Sequence, residues 1–396
     1  MEEADTRKFR DWSHVQSTKA LRGALTLLTG LALIATLSGC IRWPFGPRVV
    51  TLPLSTGPLA APSTGALIGV YEPPAPFNRT ALDTYAAISP KSPSIVMWYQ
   101  QWGTHGPNQF DSAMVASTYA RNAVPMISWE PWDPGSNPHD ILNPAISPEW
   151  TLKSIASGKR DAYLRTWARA IKALGGPVML RPLHEMNGDW YPWCGTVNGN
   201  TPAGFVAAWR HMHDVFVQEG ATNVTWVWGI NCNSIPGTPE NAAQNYYPGS
   251  AYVDWVALSG FNTGRHRNGT PGPSFSRLFS TPLTYLRTLG KPIAISEIGC
   301  AGTPADRAAW ISDAFNNLSA QYPEIKAMVY FDALETGAKS GTHDWRINTS
   351  PESVRAYVDA VSSGYFLAGP MPQLSQWQQQ FTPEQRNKLA TLPHLY

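Results

Sequence analysis

Charge is scarce in this chain. Asp, Glu, Lys and Arg make up 15% of its 396 residues, against roughly a quarter in an average soluble protein. With a formal net charge of +2 and no dense Lys/Arg block outside the N-terminus, nothing argues for nucleic acid or a polyanionic partner. Cysteine is scarce too: there are four, and the spacing of Cys194, Cys232 and Cys300 is not that of a zinc site. No metal or other cofactor is expected. A membrane-spanning run is also missing, because the apolar stretch Ala24 to Leu37 falls short of the about 20 residues that cross a bilayer. No internal repeat is evident. Hydrophobic residues at 43% exclude disorder through most of the chain, whose length suits one large barrel-sized domain or two ordinary ones.

What the chain has in excess is tryptophan, 17 residues. Two readings apply, each to different positions. Some indoles fill a large core. Others offer flat apolar faces on which the apolar face of a pyranose can stack.

The N-terminus reads as a secretory signal. Arg7, Lys8, Arg10, Lys19 and Arg22 precede the apolar run, which has the length of an h-region. It closes on Leu37-Ser38-Gly39-Cys40, an apolar residue and two small ones before a cysteine. That order resembles the bacterial lipobox, with Cys40 as the lipidated residue. An ordinary signal peptide or an uncleaved anchor are the alternatives; each puts the working part outside the cytoplasm. Residues 41–64, rich in Pro, Gly, Ser and Thr, read as a flexible tether. With Cys40 set aside, three cysteines remain, so at most one intramolecular disulfide is possible; Cys194 and Cys232, beyond consecutive strands, are the expected pair.

From residue 65 short apolar, β-branched or aromatic runs alternate with helical stretches. Strands are predicted at 66–71, 94–99, 124–129, 177–183, 224–230, 253–260, 292–297 and 327–332. Several lack polar alternation, as parallel strands buried on both faces do. Between them, Arg160 to Leu174 places Leu164, Trp167, Ile171 and Leu174 on one face and stops at Gly175-Gly176. Phe205 to Glu219 is similar, with Gly220 beyond its end. Thr303-Pro304 reads as an N-cap followed by Pro at the first helical position. Eight strand-helix units argue for an α/β fold, a (β/α)8 TIM barrel over residues 65–364. A C-terminal tail, 365–396, follows; it holds a short helix candidate, Pro383 to Leu392, and Trp377 and Phe381 could pack it on the barrel.

Catalytic residues of such barrels sit at the C-terminal ends of strands. There the sequence puts Trp129 and Glu130, His184 and Glu185, Asn231, Phe261 and Asn262, Glu297, and Asp332. Two carboxyl groups across one barrel mouth are what glycosidic cleavage needs, one as proton donor and one as nucleophile or base. Among the tryptophans, Trp167, Trp209 and Trp310 follow helical periodicity and read as core. Trp98, Trp102, Trp132, Trp190, Trp193 and Trp345 lie near loops and read as groove residues. Glu130 reads as orienting a loop or binding sugar, Asp332 as binding sugar or ending a strand. His105, His211, His213 and His266 have no supporting motif.

Arg181-Pro182-Leu183-His184-Glu185-Met186-Asn187-Gly188-Asp189-Trp190 and Ile295-Ser296-Glu297-Ile298-Gly299 closely resemble glycoside hydrolase family 26, a clan A barrel family of β-mannanases with some β-1,3-1,4-glucanases and β-1,3-xylanases. The resemblance runs from about Gly65 to Gly364. It implies Glu185 as acid/base, Glu297 as nucleophile, and double displacement with retention. It further implies His184 as a contact of the −1 sugar, Trp190 as a groove aromatic and Trp345 as the −1 platform. Arg181, Asn187, Trp129 and Phe261 complete the expected substrate site, with Arg181 steadying a glutamate. The chain departs from the family at Phe261, where many members carry a Tyr whose hydroxyl bonds the nucleophile, and at Asp189, where Asn or another polar residue is common. The expected function is hydrolysis of a β-1,4-mannan-type neutral polysaccharide by an exported, membrane-anchored monomer. The alternatives are a β-1,3-1,4-glucanase, an enzyme processing the cell's own exopolysaccharide, and a non-catalytic polysaccharide-binding lipoprotein.

Overall fold

The structure, a computed structural model, describes residues 57–76, 78, 80–103, 108–133, 148–265, 269–337, 341–380 and 382–384. The signal segment with Cys40, most of the tether, His105, His266, Phe381 and most of the C-terminal helix candidate lie outside them. In chain order the strands are β1 (Ala66–Tyr71), β2 (Ile95–Gln101), β3 (Val124–Glu130), β4 (Val178–Pro182), β5 (Val224–Asn231), β6 (Trp255–Asn262), β7 (Ile293–Cys300) and β8 (Ile325–Phe331). All pair in parallel, each with its successor, and β1 pairs with β8 to close the sheet on itself. Eight parallel strands with helices between them form the expected (β/α)8 barrel. Their backbone groups leave no open edge within the barrel, which is what closure achieves.

The helices are α1 (Ala81–Ile88), α2 (Ser112–Ala120), α3 (Leu152–Ala156), α4 (Asp161–Leu174), α5 (Pro202–Glu219), α6 (Phe275–Arg287), α7 (Pro304–Asn316), α8 (Leu318–Gln321), α9 (Pro351–Ser362) and α10 (Pro372–Gln378). Their ends obey the sequence. The Thr303 hydroxyl accepts from the Asp306 N–H at 3.2 Å ahead of Pro304. Thr201 caps α5 in the same way. Gly175 and Gly220 end α4 and α5 in the left-handed conformation, both at φ 73°, where a side chain would be strained.

Three features depart from the sequence reading. A small antiparallel hairpin, β9 (Leu334–Gly337) with β10 (Gly341–Asp344), follows β8. The ordered body starts before residue 65: Leu59 is buried, its N–H donating to the Thr225 hydroxyl and its carbonyl accepting from Trp255 Nε1. It also continues past residue 364. There β11 (Phe366–Leu367) pairs with the start of β1, and α10 buries Trp377, whose Nε1 donates to the Leu174 carbonyl at 2.8 Å. Trp377 packs the tail on the barrel as the sequence suggested, whereas the docking of Leu59 from a Pro/Gly-rich stretch was not expected. Among the described residues no helix is long and apolar enough to cross a membrane.

Candidate active site

Strand parity decides which side chains reach the barrel interior, since successive residues of a strand point to opposite faces. In β3, Ser128 and Glu130 point inward and Trp129 outward. Trp129 packs against Trp167 of α4 at 4.6 Å between centroids and against Trp102 at 4.3 Å. It is a core residue behind the sheet, not a substrate contact. The same parity in β4 turns Arg181 inward.

Arg181 organises the interior. It is fully buried, with Nη1 2.7 Å from Glu297 Oε1 and donating to the Ser128 hydroxyl at 2.9 Å, while Nη2 donates to the Ser259 hydroxyl at 2.8 Å. Ser259 donates to the same Glu297 oxygen at 3.3 Å. Burial pulls the guanidinium toward its neutral form, but the charges of Glu297, Tyr99 and Glu185 outweigh it and hold it above its ordinary range. Room for this reach comes from β5: a Cβ on Gly229 would stand 2.7 Å from Arg181 Nε. The register of β6 with β7 slips beside the site, Leu258 pairing Ile295 but Ser259 pairing Glu297. The extra residue, Ser296, is a bulge of the kind that re-aims a neighbouring side chain.

Glu185 is presented differently. After β4 the chain turns through two left-handed residues, Leu183 at φ 51° and Glu185 at φ 55°. Such conformations cost of order 1–3 kcal/mol each for residues with side chains, and gather at functional sites. The turn is pinned by the Glu185 N–H donating to the Gly229 carbonyl at 2.8 Å and by the Gly188 N–H donating to the Glu185 carbonyl at 2.9 Å. Trp190 Nε1 donates to Glu185 Oε2 at 2.9 Å. Of the expected groove tryptophans Trp190 alone keeps partial exposure; Trp98, Trp102, Trp132, Trp193 and Trp345 are all buried.

Those buried indoles still serve the site from behind. Trp193 Nε1 donates to the His184 carbonyl at 2.7 Å and its ring stacks on Tyr191 at 4.4 Å. Tyr191 in turn bonds His184 Nε2 at 3.0 Å, and His184 lies buried with the same nitrogen 3.8 Å from Glu130 Oε1. Burial raises Glu130 to about 7, despite hydrogen bonds from Trp132 and Gln101 that favour its charged form. Trp345 gives its Nε1 to Glu335 Oε2 at 2.9 Å, and His343 of β10 stacks on its ring at 5.1 Å and 10°. The expected sugar platform therefore carries an imidazole here instead of a bare face, because the hairpin folds back over it.

Asn187 also departs from its expected role. Its Oδ1 accepts from the Asn231 N–H at 2.9 Å and its Nδ2 donates to the Asn231 carbonyl at 3.0 Å. Both ends of the amide tie the β4 loop to the β5 loop. Phe261 is half-buried against Trp345 and Phe331. The donors that a tyrosine would supply to Glu297 come from Arg181 and Ser259. Asp332 ends β8 by accepting the Ile347 N–H at 2.7 Å, and burial, followed by the Asp332 carboxylate, pushes Glu72 well above the carboxylate range. His211 pairs with Asp161 at 2.6 Å on the surface.

Cys194 and Cys232 are not joined by a disulfide. Cys194 faces the Glu185 carbonyl at 3.5 Å, whereas the Cys232 sulfur lies on the far side of its strand, 3.0 Å from where a Cβ on Gly260 would be. The two thiols thus have different neighbours, Glu185 for one and Gly260 for the other. Among the described residues no group of three His, Cys, Asp or Glu side chains could hold a metal.

The residues that sequence reasoning passed over are Ser128, Ser259 and Gly229, which place Arg181, and Tyr191, which holds His184. Small residues inside apolar strands were the available sign of the first three, and the aromatic cluster Trp190-Tyr191-Pro192-Trp193 was the sign of Tyr191.

Residues 153–270, which contain Glu185, match the model of glycosyl hydrolase family 26. Among curated proteins, the chain is 34% identical to Endoglucanase H of Acetivibrio thermocellus over 76% of its own length and 31% of that protein. It is 32% identical to Mannan endo-1,4-beta-mannosidase A and B of Caldalkalibacillus mannanilyticus over 49% of its length and 32% of that protein. The chain thus spans about a third of the length of these relatives. The barrel is also that of a GH26 beta-mannanase from Bacteroides ovatus, with TM-score 0.57 and 18% identity, covering 79% of this chain and 93% of that one. The family model and the relatives agree with the two sequence motifs in a likeness to glycosyl hydrolase family 26, and the solved structure adds the fold alone.

Proposed function

We propose that the chain is a retaining β-glycanase that cleaves a β-1,4-mannan-type polysaccharide by double displacement. The observation that carries this reading is the asymmetry of the two carboxylates. Glu297 faces a buried guanidinium at 2.7 Å, and Glu185 faces a neutral indole N–H at 2.9 Å. A cationic donor favours the ionised form, as a nucleophile requires; a carboxyl held by a neutral donor is the better proton source. Glu297 attacks the anomeric carbon while Glu185 protonates the departing oxygen. Water then attacks the glycosyl–enzyme ester, giving its proton to Glu185 and freeing Glu297. The mannan-active relatives support the substrate class.

A β-glucan is the second reading. It is favoured by Endoglucanase H, the relative that matches over 76% of this chain, and by Phe261 in place of the family's usual tyrosine. Product analysis on mannans, mixed-linkage β-glucans and xylans separates the two. Hydrolysis by the parent, lost in both Glu185→Ala and Glu297→Ala, is expected. Undiminished hydrolysis by either variant contradicts the assignment. We further propose that the enzyme is exported and held at the cell surface through Cys40, supported by the basic flank, the apolar run and the Leu37-Ser38-Gly39-Cys40 order. A Cys40→Ser chain that still partitions with membranes contradicts this.

A further inference from the structure

The contact between Trp190 and Glu185 does more than pack a groove. An indole nitrogen only donates, so Glu185 Oε2, at 2.9 Å from Trp190 Nε1, acts as an acceptor in both protonation states. The carbonyl oxygen of a protonated carboxyl is a stronger acceptor than its hydroxyl oxygen, so the bond to Oε2 favours the proton on Oε1. A donor to a carboxylate also favours the ionised form, making Glu185 a stronger acid than it would be beside a hydrocarbon.

The indole has a fixed position. A Cβ on Gly188 would stand 2.6 Å from its ring, so glycine is what lets the ring close onto the turn. The Glu185 peptide beneath it is held on both sides, by the Gly229 carbonyl and by Gly188. Of the charged and titratable groups facing Glu185, Arg181 of β4 feels its charge but is committed to Glu297 of β7. Cys194, in Glu185's own loop, feels the charges of Glu185 and of Asp189 in that loop. His184 turns its Nε2 away toward Tyr191 and Glu130 of β3. Trp190 is a neutral donor to the acid, bound directly to Oε2.

We infer that Trp190 is a positioning residue for proton transfer, selecting Oε1 as the oxygen that carries the proton of Glu185. The inference rests on the reading of Glu185 as acid/base. In the first half-reaction the proton leaves Oε1 for the glycosidic oxygen as its bond to the anomeric carbon breaks. In the second, a proton of the attacking water returns to Oε1 as the carbon–oxygen bond to Glu297 breaks.

The test compares the parent with Trp190→Phe, which keeps a flat ring and loses the N–H. In proteins labelled with 13C-carboxyl glutamate, the Glu185 resonance, identified by its loss in Glu185→Gln, should titrate about one pH unit higher in Trp190→Phe, a tenfold change in proton affinity. On polysaccharide, kcat should fall about tenfold with little change in KM, and the alkaline limb of the pH profile should move up with the resonance. On an aryl glycoside whose leaving group needs no proton, formation of the glycosyl–enzyme should keep the parent's rate, an outcome that a merely structural role for Trp190 does not give. Gly188→Ala, which displaces the indole without removing it, should move the resonance in the same direction and covers the case in which Trp190→Phe fails to fold. An unmoved resonance, or an equal deficit on both kinds of substrate, overturns the inference. A moved resonance in a parent that hydrolyses no polysaccharide leaves Trp190 acting on Glu185 and overturns the glycanase reading instead.

Discussion

The ends of β4 and β7 hold their glutamates by opposite means. Glu297 lies within a strand, beside a bulge, and faces a buried cation and a serine hydroxyl. Glu185 lies beyond its strand, on a left-handed turn, and faces an indole. At β7 the carboxylate is part of the barrel's internal polar network, so its charge is needed by the fold. At β4 the carboxyl is held by backbone geometry and an indole, and its charge reaches Arg181, whose ion pair in the barrel network is with Glu297. Two identical side chains thus acquire different acid strengths from their surroundings.

The contrast predicts that two inactivating substitutions part company on stability. Either alanine variant should lose activity by about 10²–10⁴-fold, since each removes a group the reaction passes through. Glu297→Ala strands Arg181 in the interior, and breaking a buried pair costs about 3–5 kcal/mol, read as a fall in the denaturation midpoint. Glu185→Gly removes a strained side chain and should unfold within about 1 kcal/mol of the parent. Equal destabilisation by the two would erase the distinction.

Gly229→Ala tests the β7 side without touching a carboxylate. The added methyl, 2.7 Å from Arg181 Nε, must push the guanidinium or β5 aside, and overpacking of this kind costs about 1–3 kcal/mol. Its activity should fall with kcat more than with KM, because the displaced group orients the nucleophile. Parent-like kcat in a folded Gly229→Ala chain would remove Arg181 from the account.

Glu130 is a third buried carboxyl, and its hydrogen-bond donors are neutral. Its pKa rises from 4.5 to about 7 in the fold. Between those values the folded chain holds a proton that the unfolded chain has released, so stability falls as pH rises from about 4.5 to about 7 and levels off beyond. The fall across the window is on the order of 3 kcal/mol, since a single proton held by one state alone changes stability by about 1.4 kcal/mol for each pH unit. Glu130→Gln should flatten the slope in denaturant titrations across this window. An unchanged slope would mean that Glu130 is ionised throughout.

The barrel could be read from the sequence because parallel strands buried on both faces leave continuous apolar runs, and all eight runs are strands. The strands β6 and β7 run on to Asn262 and Cys300, past their predicted ends, because the ladder between them continues through Phe261–Gly299 and Asn262–Cys300 beyond the polar residues that broke the apolar runs. The β9–β10 hairpin left no such mark: apart from Leu334 it is built of Thr, His, Gly and charged residues, and its pairing is set by the backbone. Both glutamates and Arg181 stood out by motif. Trp129 was expected at the substrate because it ends a strand and Asn187 because it lies in the family motif, but parity turns the first outward and the neighbouring loop occupies the second. Trp345 shows the same limit. Its position after β8 was legible; the imidazole of His343 lying on its ring depends on a fold-back that spacing does not encode.

The central claim, that Glu297 is the nucleophile and Glu185 the acid, is tested most directly by trapping the covalent intermediate. A 2-deoxy-2-fluoro glycoside of the preferred sugar, with an activated leaving group, slows breakdown of the glycosyl–enzyme enough for peptide mass spectrometry to locate the label. The account predicts a single glycosyl ester on Glu297, formed with little delay when Glu185 is replaced by Ala, because the activated leaving group needs no proton. A label on Glu185, or on any residue other than Glu297, would contradict it.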